Sequence, residues 1–209
     1  MNDGMVKQLS QMLDSLSEHG WAVMPNAISK ESCRALSLDL NRHQDAGDFR
    51  DASVGRGDSK SQESSIRSDS IHWLGASDPE VSIQDWLLEM KDLSESLNQN
   101  FFLSLNEYEC HFACYEPGAF YLKHLDRFQN NSERIISVVL FLNDGWLKVD
   151  AGELLIYDRE DSSLITAEIS PEAGSLVLFQ SDKIFHEVRK TNRRRLSVAG
   201  WLRSNTGAL

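Results

Sequence analysis

Apolar residues recur at Met5, Leu9, Met12, Leu13 and Leu16, a spacing that puts them on one side of a helix over about 5–18. Gly20 follows as a stop signal, and the run WAVMP at 21–25 reads as a short strand. Ser29 is placed to cap a second helix over about 30–44. Asp78 followed by Pro79 reads as a further helix start, with Asp78 as N-cap. Val81, Ile83, Trp86, Leu87, Met90, Leu93 and Leu97 carry that helix to about residue 99. The period then changes. Short apolar stretches occur at 101–105, 108–115, 119–124, 134–142, 153–157, 163–169, 175–180, 184–189 and 195–203. Turn signals at Pro117-Gly118, Asn143 to Gly145, Gly152, Pro171 and Gly174 separate them. The pattern predicts a mainly β fold with flanking N-terminal helices; sandwich, barrel and jelly roll all fit it.

Residues 45–70 break the pattern. They are rich in Gly, Ser, Asp and Arg, with few apolar positions, and read as a long loop. Such loops in compact domains are functional covers or surface insertions.

Composition narrows the function. Against 32 acidic residues stand 21 basic ones, a net charge of −11, and this argues against a nucleic-acid partner. Three cysteines, Cys33, Cys110 and Cys114, do not make a disulfide framework. The polar start has no apolar signal core and no stretch reaches membrane-span length, so a cytoplasmic protein without a membrane partner is expected.

Candidate chemistry centres on YLKHLDRF at 121–128. If the strand persists, His124 and Asp126 point to one face. That pair alone is a weak signal. His186, in another strand-like run, completes two histidines and a carboxylate, the facial triad of non-haem Fe(II) oxygenases, although zinc also accepts such ligands. Arg195 lies nine residues on, with Ser197, Ala199 and Trp201 on the same face of a strand. An arginine facing a barrel interior needs an anionic partner, and its fork suits a carboxylate; a surface position or an internal ion pair would explain it equally well. His19, His43, His72 and His111 are not expected to be ligands. Trp21, Trp73, Trp86 and Trp146 read as packing residues and Cys114 as a small buried apolar group.

The set His124, Asp126, His186 and Arg195 resembles the Fe(II)/2-oxoglutarate-dependent dioxygenases. IRSDSIHWL at 66–74, FACYEPGAFYLKHLD at 112–126, VVLFLNDGW at 138–146, GELLIY at 152–157 and SDKIFHEVRKTNRRRLSVAGW at 181–201 resemble the prolyl hydroxylases that act on hypoxia-inducible factor and their bacterial relatives. The similarity covers about residues 20–203.

The resemblance implies a double-stranded β-helix (jelly-roll, cupin-like) in a single dioxygenase domain over 1–209. Residues 1–100 would give helical support with a mobile loop at 45–70, and 101–204 the catalytic core. It further implies that His124, Asp126 and His186 bind Fe(II), and that Arg195 pairs with the distal carboxylate of 2-oxoglutarate. Tyr115 would lie near iron and cosubstrate, Tyr121 and Trp201 would line the pocket, and Arg134 would stand at its mouth. Arg67 and Asp69 would help hold the substrate. O2 would be the oxidant, ascorbate a reductant, and succinate and carbon dioxide the coproducts.

A family tyrosine that bonds the cosubstrate carboxylate falls on Phe141, which has no donor, so Ser197 or Tyr115 would share the anion with Arg195. The implied substrate is a prolyl residue of a protein, with a translation elongation factor of the Tu type as one candidate. A small-molecule or free-amino-acid hydroxylase is the alternative within the superfamily, and a non-catalytic jelly-roll binding protein lies outside it.

Overall fold

Residues 3–52, 65–127 and 133–204 are described by a computed structural model. Helices α1 (Asp3–His19), α2 (Lys30–Asp45) and α3 (Val81–Phe101) pack against one face of a sheet. The Ser29 hydroxyl accepts the Ser32 N–H and caps α2, as expected. On α3, Ile83, Trp86, Met90, Leu93 and Leu97 recur every three or four residues and are all buried. Burial of each such side chain stabilises the fold by about 1.5–3 kcal/mol.

Two local expectations are corrected. Asp78 does not cap α3. Its carboxylate accepts the Gly75 N–H at 2.6 Å, and Glu80 takes the N-cap position without a side-chain cap bond. The stretch 101–105 is not a strand. The helix runs to Phe101, Phe102 takes a left-handed turn at φ 55°, and the Asn98 side chain bonds both backbone groups of Leu105, fixing it as a loop.

The strands are β1 (Trp21–Met24), β2 (Arg50–Asp51), β3 (Ser70–Leu74), β4 (Glu107–Tyr115), β5 (Tyr121–His124), β6 (Arg134–Phe141), β7 (Leu154–Tyr157), β8 (Ile165–Ile169), β9 (Leu176–Gln180), β10 (His186–Val188) and β11 (Arg195–Arg203). Among the described residues they form a seven-stranded sheet, β1-β9-β6-β11-β4-β3-β2, and a four-stranded sheet, β5-β10-β7-β8. All recorded pairings within these sheets are antiparallel. This is the jelly-roll arrangement of the double-stranded β-helix.

Alternation divides the large sheet. Phe112, Val138, Leu140, Leu178 and Val198 face the helices. Ala113, Tyr115, Phe141, Val177 and Phe179 face the small sheet. Because side chains alternate with period 2, Arg195 and Ser197 share the inner face with Tyr115 and Phe141, their cross-strand neighbours.

The polar stretch 45–70 is more ordered at its ends than a plain loop. β2 pairs with β3 through Asp51 and Ser70. Residues 53–64, the middle of the expected mobile loop, lie outside the described residues. β3 matches none of the expected apolar stretches, because its five residues are only partly covered and show little apolar alternation.

Candidate active site

His124 ends β5 and His186 begins β10, and the two are register partners. The strand stops at His124, so Asp126 reaches the histidines from the bend that follows, not by strand alternation. Nε2 of His124 stands 3.5 Å from Oδ1 of Asp126, and Nε2 of His186 stands 3.6 Å from Oδ2. One ligand atom from each of the three lies within 4.8 Å of the others.

The orientation of the rings is set from behind. Nδ1 of His124 bonds the Leu122 carbonyl at 2.7 Å, and Nδ1 of His186 the Ile184 carbonyl at 3.2 Å. A carbonyl only accepts, so both Nδ1 atoms donate backward and both Nε2 atoms are turned toward Asp126. The ring of Tyr121 stacks on His124 at 3.5 Å, and Phe179 packs against His186 at 4.4 Å.

Burial works against the charge of Asp126. The imidazoles of His186 and His124 and the Ser137 hydroxyl outweigh it and hold the carboxyl well below the usual range. Ser137 donates to Oδ2 at 2.6 Å and lies 2.9 Å from the Ser181 hydroxyl. Burial, reinforced by His124, pulls the pKa of His186 down to about 4, so it is neutral near pH 7. Two imidazole nitrogens with an ionised carboxylate on one side of a point fit Fe(II) and leave coordination positions open.

Arg195 is 1% exposed. Its Nε donates to the Gly152 carbonyl at 2.9 Å, and its guanidinium carbon lies 5.1 Å from the Tyr115 ring and 4.9 Å from the Phe141 ring. Among the described residues no carboxylate forms an ion pair with it. Burial pulls its pKa down to about 10, which still leaves it cationic at neutral pH. A buried cation without an anion is costly, and the cradle fits the free carboxylate of 2-oxoglutarate. Burial raises the Tyr115 phenol far above its ordinary value, so its proton stays available for donation. Ser197 stands beside Phe141 across the strand pair.

The rim brings the remaining candidates together. Arg67 makes a two-pronged pair with Asp69, at 2.7 and 2.5 Å, and its guanidinium lies 4.2 Å above the Tyr121 ring. These two residues therefore act first on each other, as a strut beside the pocket. Arg134 lies 3.3 Å above the Trp201 ring and 3.2 Å from Glu109. Trp201 is also 5.5 Å from His111 and 6.3 Å from Trp73. Trp73 is 48% exposed, which corrects its reading as a packing residue; Trp86 and Trp146 are buried as expected.

Sequence reasoning passed over Ser137, which orients Asp126, and Gly152, which holds Arg195. Only the turn signal marked Gly152. Its φ is +74°, and an added Cβ would stand 2.9 Å from Thr191 and 3.3 Å from Cδ of Arg195.

Comparison with known proteins bears on this geometry. The family model of the 2OG-Fe(II) oxygenase superfamily matches residues 110–203, which include the triad and Arg195. The crystal structure of a prolyl-4-hydroxylase from Pseudomonas putida is similar with a TM-score of 0.84 and 36% identity, over 94% of this chain and 99% of that one. The chain belongs to the 2OG-Fe(II) oxygenase superfamily. Within it, the protein is a prolyl-hydroxylase-like dioxygenase whose cofactors are Fe(II), 2-oxoglutarate and O2. Human Egl nine homolog 1 is 27% identical over 203 residues, covering 92% of this chain and 46% of that protein. The oxygenase chain thus spans about half the length of that curated relative. A Trichoplax adhaerens prolyl hydroxylase, in complex with a hypoxia inducible factor peptide fragment, shares the fold with a TM-score of 0.83 at 20% identity, over 98% of this chain and 94% of that one.

Proposed function

We propose that the protein hydroxylates a prolyl residue of a protein or peptide, with succinate and carbon dioxide as coproducts. The carrying observation is the buried Arg195, without a carboxylate partner among the described residues, against Tyr115 and Phe141, whose inner-face cluster also holds Phe179 and Tyr121, the rings that pack on His186 and His124 of a two-histidine, one-aspartate triad. His124, Asp126 and His186 would hold Fe(II). When bound, iron with 2-oxoglutarate supplies the oxidising power to hydroxylate an unactivated C–H bond.

The chain's own residues prepare that step. Arg195 anchors the distal carboxylate of the cosubstrate, with the Tyr115 and Ser197 hydroxyls as the nearby donors that stand in where Phe141 has none. Ser137 keeps Asp126 turned toward the two Nε2 atoms. Tyr121 and Trp201 form walls, and their rings are held by the guanidinium groups of Arg67 and Arg134. At the rim, the exposed Trp73 with Trp201 offers flat apolar surface suited to a pyrrolidine ring.

The relatives named prolyl hydroxylases support the reading, and by resemblance an elongation factor of the Tu type is the first substrate to try. We place the reaction in the cytoplasm. The three cysteines are free and buried, and among the described residues no helix is long and apolar enough to cross a membrane.

The test is incubation with Fe(II), 2-oxoglutarate and ascorbate, first with an elongation factor of the Tu type and then with a panel of prolyl peptides. Substrate-dependent succinate and a mass gain of one oxygen atom on a prolyl residue are expected. Succinate stimulated only by free amino acids would move the assignment to the small-molecule branch, and no stimulated turnover with any substrate would refute both.

A further inference from the structure

A second cluster repeats the donor pattern of the first. His43 in the last turn of α2, His72 in β3 and Asp78 in the turn before α3 each offer a ligand atom, and these lie within 4.8 Å of one another. The active-site triad meets that same limit. The cluster lies on the helix-facing side of the large sheet, where the His43 ring is 6.4 Å from Phe112.

Both imidazoles are held from behind by one residue. Nδ1 of His43 bonds the Asp48 carboxylate at 2.8 Å, and Nδ1 of His72 lies 3.4 Å from the Asp48 carbonyl. A carboxylate or carbonyl behind a histidine is the usual support of a metal ligand, because it fixes the tautomer and raises the basicity of Nε2. The rings stack at 4.2 Å.

Both Nε2 atoms are buried without a hydrogen-bond partner, and so is Oε2 of Glu80. Oε1 of Glu80 is 3.5 Å from Nε2 of His43. The edge of a tetrahedron with zinc–ligand bonds near 2.0–2.1 Å is about 3.3 Å. Two orphaned imidazole nitrogens in the cluster, with an orphaned carboxylate oxygen on Glu80 beside His43, call for a shared partner. The surrounding charge defines its sign. Asp39, Asp48, Asp78 and Glu80 face one arginine, Arg42, which pairs with Asp39 and lies 4.0 Å from Glu80.

We propose that His43, His72 and Asp78, with Glu80 as fourth donor, form a structural binding site for a divalent transition metal of the zinc class, separate from the iron triad. Two imidazoles and two carboxylates suit Zn2+ in a closed tetrahedral site with no position left for substrate. The ion ties α2, β3 and the turn before α3 together. β3 pairs with β2 and directly follows Arg67 and Asp69, so the site clamps the base of the segment that reaches the active-site rim. The histidines that the sequence sets aside as non-ligands become ligands because folding brings together positions from three separate elements.

The test is equilibrium dialysis of the full chain against Zn2+, with bound metal counted by elemental analysis. Wild type should bind two equivalents per chain, one at each site. His72→Gln and Asp78→Asn should each bind one, and Asp126→Ala should keep the second. Zn2+ should raise the melting temperature of the Asp126→Ala protein, and adding His72→Gln should abolish that rise. Saturation of wild type at one equivalent overturns the proposal, as does retention of two equivalents in folded His72→Gln and Asp78→Asn. Asp78→Asn, which lies in a turn, serves if the strand variant fails to fold, with circular dichroism reporting folding in each case.

Discussion

Replacing Arg195 by methionine separates the cost of a buried cation from its use. Burial pulls the guanidinium from 12.5 down to about 10. At about 1.36 kcal/mol for each tenfold change in proton affinity, the charge is disfavoured inside the fold by roughly 3 kcal/mol. The folded value lies below the unfolded one. Both states are therefore protonated at pH 7, the penalty is fully present there, and it is relieved only as pH rises above about 10. Against it stand the hydrogen bond to Gly152, worth about 1.5–3 kcal/mol, and contacts with the Tyr115 and Phe141 rings, worth about 0.5–1 kcal/mol each. The opposing contributions nearly cancel. Arg195→Met should therefore leave the unfolding free energy of the ligand-free protein within about 1 kcal/mol of wild type, as is found when buried charges give way to apolar groups of similar size. The same variant should lose the stabilisation conferred by 2-oxoglutarate, which for wild type at a hundredfold excess over Kd is about 2.7 kcal/mol. Urea unfolding followed by circular dichroism, with Mn2+ in place of iron and with or without 2-oxoglutarate, reads both quantities. A loss of about 3 kcal/mol or more without ligand would show that Arg195 is a structural ion-pair member. Undiminished stabilisation by 2-oxoglutarate would remove it from the cosubstrate site.

Three further outcomes follow from single contacts. Ser137→Ala removes the donor to Asp126 and should weaken metal binding at the triad by about 10–100-fold, read by competition against a fluorescent chelator, with the fold intact by circular dichroism. Gly152→Ala puts a Cβ at positive φ against Thr191 and Arg195; it should cost about 1–2 kcal/mol from the backbone alone and raise the KM for 2-oxoglutarate more than it lowers kcat. Burial, aided by the Arg67 charge, pulls His111 down to about 3. Its folded value lies below the unfolded one, so it carries no penalty above about pH 6.5, and stability falls as the pH drops toward 3, by roughly 2 kcal/mol at pH 5. His111→Met should flatten that limb of a urea-midpoint profile taken between pH 7 and 5.

The parts of the site that could be read in the sequence are those fixed by local period. Arg195 and Ser197 share a face because β11 is a regular nine-residue strand, and Ala113 and Tyr115 face them for the same reason. Strand alternation would put His124 and Asp126 on one face, and the fold brings the two together by another route, since the strand ends between them and a bend turns the carboxylate inward. What stayed hidden depends on pairing across long separations. Gly152 meets Arg195 at a separation of 43 positions. Ser137 meets Asp126 across a loop, and neither partner carries a pattern that points to the other. β3 escaped notice because none of its five residues is fully buried, so the alternation that betrays a strand is blurred.

That blurring has a physical origin that links fold to function. A strand with both faces covered is selected by burial alone, and its letters show it; Leu154 to Tyr157 are all buried and apolar or aromatic. A strand that must present Trp73 to the pocket rim and His72 to the helices cannot bury both faces. Its register is then weakly specified by hydrophobicity. It depends on neighbours instead: β4 on one side, the short β2 on the other, and the cluster around His43 behind it. Trp73 meets Trp201 only while that register holds, and a slip of one residue would turn Trp73 toward the helices and His72 toward the iron. The polar contacts behind β3 therefore set which aromatic ring stands beside Trp201, and the far side of the sheet fixes in part the surface offered there.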